Sequence, residues 1–170
     1  SDALILFTSG TTGKPKAVVL TNKNIMAAAT YLKNSTHVNN THGEKSLVCV
    51  PFTYPYGFST STLMSLLCGR QVVLAPDLSK GNIYEYLAKE PNIIFGSPAL
   101  LELMMNYAPR DFDLSSVKSF ISGGDFLTPA MQQSGQQFFE NHHAQTIISN
   151  GAGNAETVSC GTNSFGIKVK

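Results

Sequence analysis

Short apolar segments alternate with stretches of helical periodicity along the chain, and this alternation limits the possible folds more than any other feature. The apolar residues of these segments are continuous rather than alternating, which is typical of strands covered on both faces. The predicted strands span residues 3–7, 17–20, 47–50, 71–75, 92–95, 119–122 and 146–149. Repeated strand–helix alternation predicts an α/β fold in which a mostly parallel sheet is flanked by helices.

The stretches between the strands carry helix start and stop signals. Thr21 can cap a first helix, Gly69 can end the second, and Thr128 followed by Pro129 can begin the last. After the helix that begins at Thr21, the predicted helices span residues 58–68, 83–89, 98–107 and 128–142. An apolar helix face usually belongs to the core, so we expect the second helix to be part of the core rather than of a pocket.

Net charge and composition exclude several function classes. A formal net charge of +1 over 170 residues, without a basic cluster, argues against a nucleic-acid partner. The longest apolar stretches are too short to span a membrane, and the first residues lack a signal-peptide pattern, so we expect a cytoplasmic protein. Three widely separated cysteines fit a reducing compartment, and the lack of a CxxC pair argues against structural zinc.

Charged residues make up only 14% of the sequence, against about 25% in typical soluble domains. Either the composition has drifted in one lineage, or further protein covers part of the surface. The chain opens directly into an apolar run and stops without a closing element, so we expect a piece of a larger protein. An uncovered sheet face would also allow the piece to self-associate.

A loop dense in Gly, Ser and Thr lies between the first two predicted strands. Residues 7–16 read Phe-Thr-Ser-Gly-Thr-Thr-Gly-Lys-Pro-Lys. The glycines let the backbone turn tightly and aim several N–H groups at one point, while hydroxyls and lysines add donors and positive charge. Because polyphosphate oxygens only accept hydrogen bonds, this combination favours a phosphate-binding loop over a solvated hairpin. It is not a Walker loop, since Pro15 and a strand follow Lys14.

This loop resembles, residue for residue, the phosphate-loop signature of the adenylate-forming (AMP-binding) superfamily. Three further segments resemble motifs of that family and follow in its order. Residues 50–57 resemble the segment at the acyl pocket, residues 122–129 the Ser-Gly-Gly turn, and residues 150–157 the Tyr-Gly-x-Thr-Glu motif. The resemblance covers essentially the whole chain. It implies that residues 1–170 are a partial AMP-binding domain, without the C-terminal domain of the family.

The resemblance implies a ligase that uses ATP to convert a small carboxylic acid to an acyl-adenylate and then transfers the acyl group to coenzyme A. A carboxylate is already ionised at neutral pH, so adenylation needs no general base. Catalysis then rests on positioning and on charge stabilisation by donors, cations and Mg²⁺. The implied cofactors are therefore ATP, Mg²⁺ and coenzyme A.

The family motifs also imply roles for individual residues. Those implied to bind the nucleotide are Thr8, Ser9, Gly10, Thr11, Thr12, Gly13, Lys14, Lys16, Gly123, Gly124, Gly151, Ala152, Gly153 and Ala155. Lys16 either contacts phosphate or anchors the loop. Lys14 and Glu156 are the implied catalytic residues, with Glu156 at the position of the Mg²⁺ ligand. The acyl pocket is expected to contain Tyr54, Tyr56 and Gly57.

The chain departs from the family pattern at three positions. Ala152 stands where a Tyr usually stacks on adenine, a loss of about 1–3 kcal/mol. Ala155 stands where a Thr usually binds phosphate, a loss of about 0.5–1.5 kcal/mol. Tyr54 replaces a frequent His. These changes predict weaker ATP binding unless other residues compensate. The family's ribose-binding Asp and C-terminal lysine lie beyond the matched region, so we expect this chain alone not to complete adenylation.

Two alternatives remain open. One is an amino-acid adenylation domain of a peptide synthetase, although such domains carry an Asp near the aromatic segment and residues 53–57 have no acidic residue. That absence favours an acid without an α-amine. The other is a catalytically inactive nucleotide-binding module, which Ala152 and Ala155 support. A purely structural domain would leave the hydroxyls and lysines of the loop unexplained.

Overall fold

The computed structural model describes residues 1–8, 14–35, 43–79, 82–159 and 161–163. Within these ranges, β1 (Asp2–Thr8) and β2 (Lys16–Thr21) form a separate antiparallel hairpin. The other described strands are β3 (Lys45–Val48), β4 (Gln71–Leu74), β5 (Ile93–Gly96), β6 (Ser119–Ser122), β7 (Ile147–Ala152) and β8 (Thr162–Asn163). They form one sheet in the order β4-β3-β5-β6-β7-β8, parallel except for the antiparallel β8.

Helices cover both faces of the parallel sheet, which confirms the α/β fold expected from the sequence. They are α1 (Asn22–Ser35), the π-helix (Tyr56–Leu63), α2 (Met64–Leu67), α3 (Asn82–Leu87), α4 (Pro98–Tyr107) and α5 (Pro129–Asn141). Successive strand residues face opposite sides. Leu47 and Phe120 therefore pack with α3, α4 and α5, whereas Val48 and Ile121 pack with α1, the π-helix and α2.

Side-chain caps place the helix ends where the sequence predicts them. Thr21 and Asn24 exchange hydrogen bonds at the start of α1, with Thr21 Oγ1 accepting from the Asn24 amide at 3.2 Å. Thr128 Oγ1 accepts from the Met131 amide at 3.2 Å and begins α5. Such caps satisfy N–H groups that the first helical turn leaves unpaired. None of the helices in the described ranges is long and apolar enough to cross a membrane.

The hairpin of β1 and β2 differs from the sequence prediction. Leu6 and Leu20 are buried in a cluster with residues of α1, but Ile5, Phe7 and Val19 are 56%, 73% and 52% exposed. The expectation that all predicted strands are covered on both faces is therefore wrong for these two. A two-stranded hairpin packs one face on a helix, and a continuous apolar segment does not reveal whether a second layer is present.

The helix predicted over residues 58–68 also differs, because it begins at Tyr56 and its first eight residues are π-helical. Ser61 Oγ donates to the Tyr56 carbonyl at 2.7 Å, and Thr62 Oγ1 donates to the Gly57 carbonyl at 2.8 Å. Both hydroxyls thus bond to the carbonyl five residues earlier, which is the acceptor that a π-helix uses. Side-chain bonds of this kind compete with the α-helical pattern.

Candidate functional site

A cleft of about 1160 Å³ opens at the carboxyl ends of the parallel strands. The segments that follow β3, β5, β6 and β7 form most of its wall, and the end of β1 and one side of α1 complete it. Segments at this edge of a parallel sheet are where open α/β proteins bind their ligands. The position and size of the cleft make it the candidate site.

The fold brings most of the predicted site residues to this cleft. Those that line it are Thr8, Tyr54, Tyr56, Gly123, Gly124, Gly151, Ala152, Gly153, Ala155 and Glu156. Lys14, Lys16 and Gly57 are described but are not among the lining residues. Five predicted phosphate-binding residues lie outside the described ranges: Ser9, Gly10, Thr11, Thr12 and Gly13.

The hairpin places Lys16 beside the end of β1. Thr8, the last residue of β1, lines the cleft and is paired across the hairpin with Lys16. Lys14 and Lys16 are exposed, so both ammonium groups avoid the cost of burial. The pairing confirms that the predicted loop is flanked by two strands, shows that these strands are antiparallel, and places Lys16 next to the strand end that enters the cleft.

Tyr56 supports the turn that follows β6. Its hydroxyl donates to the Ile121 carbonyl at 2.6 Å, and its ring lies so close to Gly123 that a Cβ there would be 3.0 Å from Cε1. Burial raises the pKa of the Tyr56 hydroxyl, and the nearby Cys49 raises it further, so the hydroxyl remains a protonated donor. Tyr56 thus borders the cleft with its ring, while its hydroxyl is already bonded to the backbone.

Two glycines near Tyr56 are required for different reasons. Gly124 has φ +84°, and a Cβ at this position would meet no other atom within 4 Å, so its requirement is the left-handed backbone. Gly57 instead packs against the backbone of the segment after β3, where a Cβ would lie 2.6 Å from the Val50 carbonyl oxygen. Gly57 therefore fixes the approach of the π-helix to that segment and does not face the cleft.

The segment after β7 forms a tight loop that carries Glu156. Asn154 and Thr157 hold it, since the Thr157 amide donates to Asn154 Oδ1 at 2.9 Å and the Asn154 amide donates to Thr157 Oγ1 at 3.3 Å. Val158 and Ser159 follow with φ of 55° and 59°. β8 then pairs with the end of β7, which returns the chain to the sheet. Glu156 is exposed and lines the cleft.

Comparison with known proteins gives the family. The family model described as AMP-binding enzyme matches residues 1–169. The chain belongs to this family. The AMP-binding chain is 31% identical over 133 residues to a long-chain-fatty-acid–CoA ligase of Bacillus subtilis (strain 168), an alignment that covers 77% of this chain and 24% of that relative. The chain thus spans about a quarter of the length of this relative.

Solved structures have the same fold as the AMP-binding chain. The inhibitor-bound N-terminal domain of FACL13 from Mycobacterium tuberculosis has a TM-score of 0.82 and 23% identity, over 96% of this chain and 39% of that one. McyG A-PCP complexed with phenylalanyl-adenylate has a TM-score of 0.79 and 25% identity, over 96% of this chain and 31% of that one. Both a CoA ligase and a protein that binds an aminoacyl-adenylate are therefore among the relatives of this chain.

Thr60 is a cleft residue that the sequence analysis missed. It lies on the π-helix, is only 7% exposed, and its Oγ1 has no hydrogen-bond partner among the described residues. The neighbouring hydroxyls of Ser59, Ser61 and Thr62 all bond to backbone carbonyls. Ser122 Oγ and Ser149 Oγ are two further buried hydroxyls without a partner among the described residues, but neither Ser122 nor Ser149 lines the cleft. The Ser-Thr-Ser-Thr run at residues 59–62 was the available sequence signal.

Two carboxylates, Asp125 and Glu156, are among the described residues that line the cleft. Mg²⁺ is usually bound by one or two carboxylates together with substrate phosphates, and the exposed Glu156 carboxylate on the cleft wall fits such a site. No group of three or more His, Cys, Asp or Glu residues lies within metal-binding reach in the described part of the chain.

Ala155, one of the departures from the family pattern, has a packing role. It lines the cleft but is only 8% exposed, in the cluster that contains Leu6, Ile25 and Val158. Its methyl group joins the Glu156 loop to the hairpin and to α1. Ala152 is exposed on the cleft wall at the end of β7, where it offers no stacking surface.

Proposed function

We propose that the protein containing this chain activates a small carboxylic acid with ATP and then transfers the acyl group to coenzyme A. The main observation that supports this proposal is that the end of β1, the Gly123–Gly124 turn and Glu156 line the same cleft. The chain also belongs to the AMP-binding enzyme family. Residues 1–170 are on this proposal part of a longer AMP-binding domain, followed by a C-terminal domain that supplies the remaining groups. The CoA-ligase relative supports coenzyme A as the acceptor.

Adenylation on this proposal is a displacement at the α-phosphorus of ATP. A carboxylate oxygen forms a bond to that phosphorus, the bond to the β-phosphate oxygen breaks, and pyrophosphate leaves with the electron pair. No proton moves in this step, so the cleft has no need of a general base. In the second step the thiol sulfur bonds to the acyl carbon, AMP leaves, and the thiol proton passes to solvent.

The residues of the chain act by binding and orientation. Thr8, Lys14 and the loop between them hold the β- and γ-phosphates, whose negative charge the exposed lysine complements. Glu156 holds Mg²⁺, which supplies neutralisation of the phosphate charge when it is bound. Gly123 and Gly124 present a turn with no side chains, so that the acyl-adenylate lies directly against the backbone.

Thr60 selects the acid on this proposal. Its buried Oγ1 has no partner among the described residues and lies in the part of the cleft lined by Tyr54, Tyr56 and Thr60, which we call the acyl wall. An acid that places a hydroxyl, carbonyl or second carboxylate there satisfies this hydroxyl. A plain alkyl chain would leave the hydroxyl unsatisfied. We therefore expect acids with a polar group distant from the reacting carboxylate to be preferred over simple fatty acids of similar length.

An amino acid is the second candidate substrate. The likeness to McyG A-PCP complexed with phenylalanyl-adenylate supports it, and Asp125 places a carboxylate in the cleft wall that could pair with an amine. Against it, residues 53–57 carry no acidic residue. An inactive module is the third candidate, and Ala152 supports it.

Acid-dependent exchange of labelled pyrophosphate into ATP tests the proposal. The protein that contains this chain is assayed with fatty, aromatic, hydroxylated, dicarboxylic and amino acids, with the 170-residue chain as a control. We expect exchange with one class of acid in the larger protein and none in the control. Exchange with amino acids alone would establish the second candidate, and no exchange with any acid in a folded protein would establish the inactive module.

A further inference from the structure

Ser59 on the π-helix contacts the loop that carries Glu156. Its Oγ lies 2.7 Å from the Pro55 carbonyl oxygen and also 2.7 Å from the Val158 carbonyl oxygen. The residue is fully buried. The first acceptor is four residues away on the same helical segment, whereas the second is 99 residues away in the Glu156 loop. Only the second bond joins the acyl wall to the loop.

A hydroxyl has one proton, so Ser59 donates to one of these two carbonyls at a time. Donation to Pro55 is a local bond within one helical segment. Donation to Val158 fastens the Glu156 loop to the π-helix. The two acceptors lie at equal distances, so both bonds are within reach of the one proton.

The Glu156 loop depends on such external support. Val158 and Ser159 have φ of 55° and 59°, a region that is unfavourable for side-chain-bearing residues and most of all for a β-branched one. Such a conformation persists when its surroundings hold it. Val158 is 3% exposed in the cluster with Leu6 and Ile25, and its carbonyl oxygen lies 2.7 Å from Ser59 Oγ.

We propose that Ser59 is a positioning residue that holds the Glu156 loop in place and couples the acyl wall to the phosphate side of the cleft. The inference rests on the proposed function, because it takes Glu156 as the residue that meets the metal and nucleotide. Thr60 follows Ser59 directly and lines the cleft. On this proposal an acid bound against Thr60 acts on the same helical turn that fastens the Glu156 loop, and we expect acid binding and MgATP binding to strengthen each other.

A matched pair of variants isolates this contact. Ser59→Ala removes the bond to Val158, whereas Ser61→Ala removes an equally buried hydroxyl of the same helix that donates to the Tyr56 carbonyl at 2.7 Å. Hydrogen–deuterium exchange is measured on peptides covering residues 153–159 in the protein that contains this chain. We expect exchange in this loop to rise on the order of threefold to tenfold in Ser59→Ala and to stay at the wild-type rate in Ser61→Ala.

Kinetics supplies the second measurement. In the pyrophosphate exchange assay, wild-type protein should show a KM for MgATP that falls as the acid approaches saturation. Ser59→Ala should raise that KM several-fold and remove its dependence on acid, whereas Ser61→Ala should keep it. Ser59→Cys, which keeps a similar volume with a weak donor, should lie between Ser59→Ala and wild type and serves if the alanine variant does not fold.

Equal loop exchange in the Ser59→Ala and Ser61→Ala variants would overturn the inference, as would an acid dependence of KM that survives in Ser59→Ala. Hydrogen exchange needs no turnover, so this failure is distinct from failure of the proposed function. The latter would appear as a wild-type protein without acid-dependent pyrophosphate exchange.

Discussion

The hydroxyl of Tyr56 donates a 2.6 Å hydrogen bond to the backbone carbonyl of Ile121, 65 residues further along the chain. Ile121 is the last residue but one of β6, just before the Gly123–Gly124 turn. One bond thus fixes the start of the π-helix to the strand that leads into the Gly123–Gly124 turn of the cleft.

Replacing Tyr56 by Phe keeps the ring against Gly123 and removes the donor. We expect the free energy of unfolding to fall by about 0.5–1.5 kcal/mol, the net contribution of one buried hydrogen bond. Chemical denaturation of the protein that contains this chain measures it. Tyr54→Phe is the control, because Tyr54 is 60% exposed and should change the free energy by less than about 0.5 kcal/mol. Equal losses in both variants would contradict the role given to Tyr56.

Gly123 and Gly124 should respond differently to the same substitutions. Gly123→Ala forces a methyl group against the pinned Tyr56 ring, so we expect a loss of about 1–3 kcal/mol in unfolding free energy, and Gly123→Asn should lose more. Gly124 has open space but φ +84°, and Asn tolerates that conformation better than Ala. Gly124→Asn should therefore be more stable than Gly124→Ala. We therefore expect Ala to be the better tolerated residue at position 123 and Asn at position 124. If the same residue were better tolerated at both positions, one of the two explanations would be wrong.

The sequence could predict what depends on local interactions. The capping pair of Thr21 and Asn24 and the cap at Thr128 involve residues three positions apart, so their effect on helix boundaries is visible in the sequence. The parallel sheet follows from the order of elements. The open face of the β1–β2 hairpin could not be predicted, because it depends on which layers pack against it. The π-helix depends on hydroxyls that bond to backbone instead of solvent.

The segments that form the candidate site could be predicted from the sequence, but the contacts between those segments could not. Motif positions indicated which segments meet, and the fold brings Gly123, Ala152 and Glu156 to one cleft. The motifs could not reveal that the Tyr56 hydroxyl bonds to Ile121 or that Thr60 has no partner among the described residues. Both facts depend on contacts between segments that are far apart in the sequence.

Thr60→Val tests the acyl wall. Removing a buried hydroxyl without a partner should leave the free energy of unfolding unchanged or raise it by about 1 kcal/mol. The matched Thr62→Val should lower it by about 1 kcal/mol, because Thr62 Oγ1 bonds to the Gly57 carbonyl at 2.8 Å. In acid competition, Thr60→Val should shift kcat/KM toward alkyl acids on the order of tenfold. If Thr60→Val lost as much stability as Thr62→Val, the Thr60 hydroxyl would have to be hydrogen-bonded in the folded protein.

Cys49, in the wall between strand β3 and the cleft, should make stability fall in alkali. Burial raises the pKa of its thiol from 9.0 to about 12, so the folded state keeps the proton that the unfolded state releases. The contribution is complete below pH 9 and is lost as pH rises toward 12, by at most about 1.4 kcal/mol per pH unit. The stability difference between wild type and Cys49→Ala, measured from about pH 7 to about pH 10.5, should shrink above pH 9. If the stability difference between the two proteins stayed constant across that range, the raised pKa of the Cys49 thiol would be refuted.

The most direct measurement of the central claim follows oxygen from the acid into AMP. The protein that contains this chain is incubated with MgATP, coenzyme A and its acid, in which both carboxylate oxygens are ¹⁸O. The masses of the AMP and pyrophosphate products are then measured by mass spectrometry. Attack of the carboxylate on the α-phosphorus predicts one ¹⁸O in each AMP formed and none in pyrophosphate. Unlabelled AMP, or ¹⁸O in the released phosphates, would contradict formation of an acyl-adenylate.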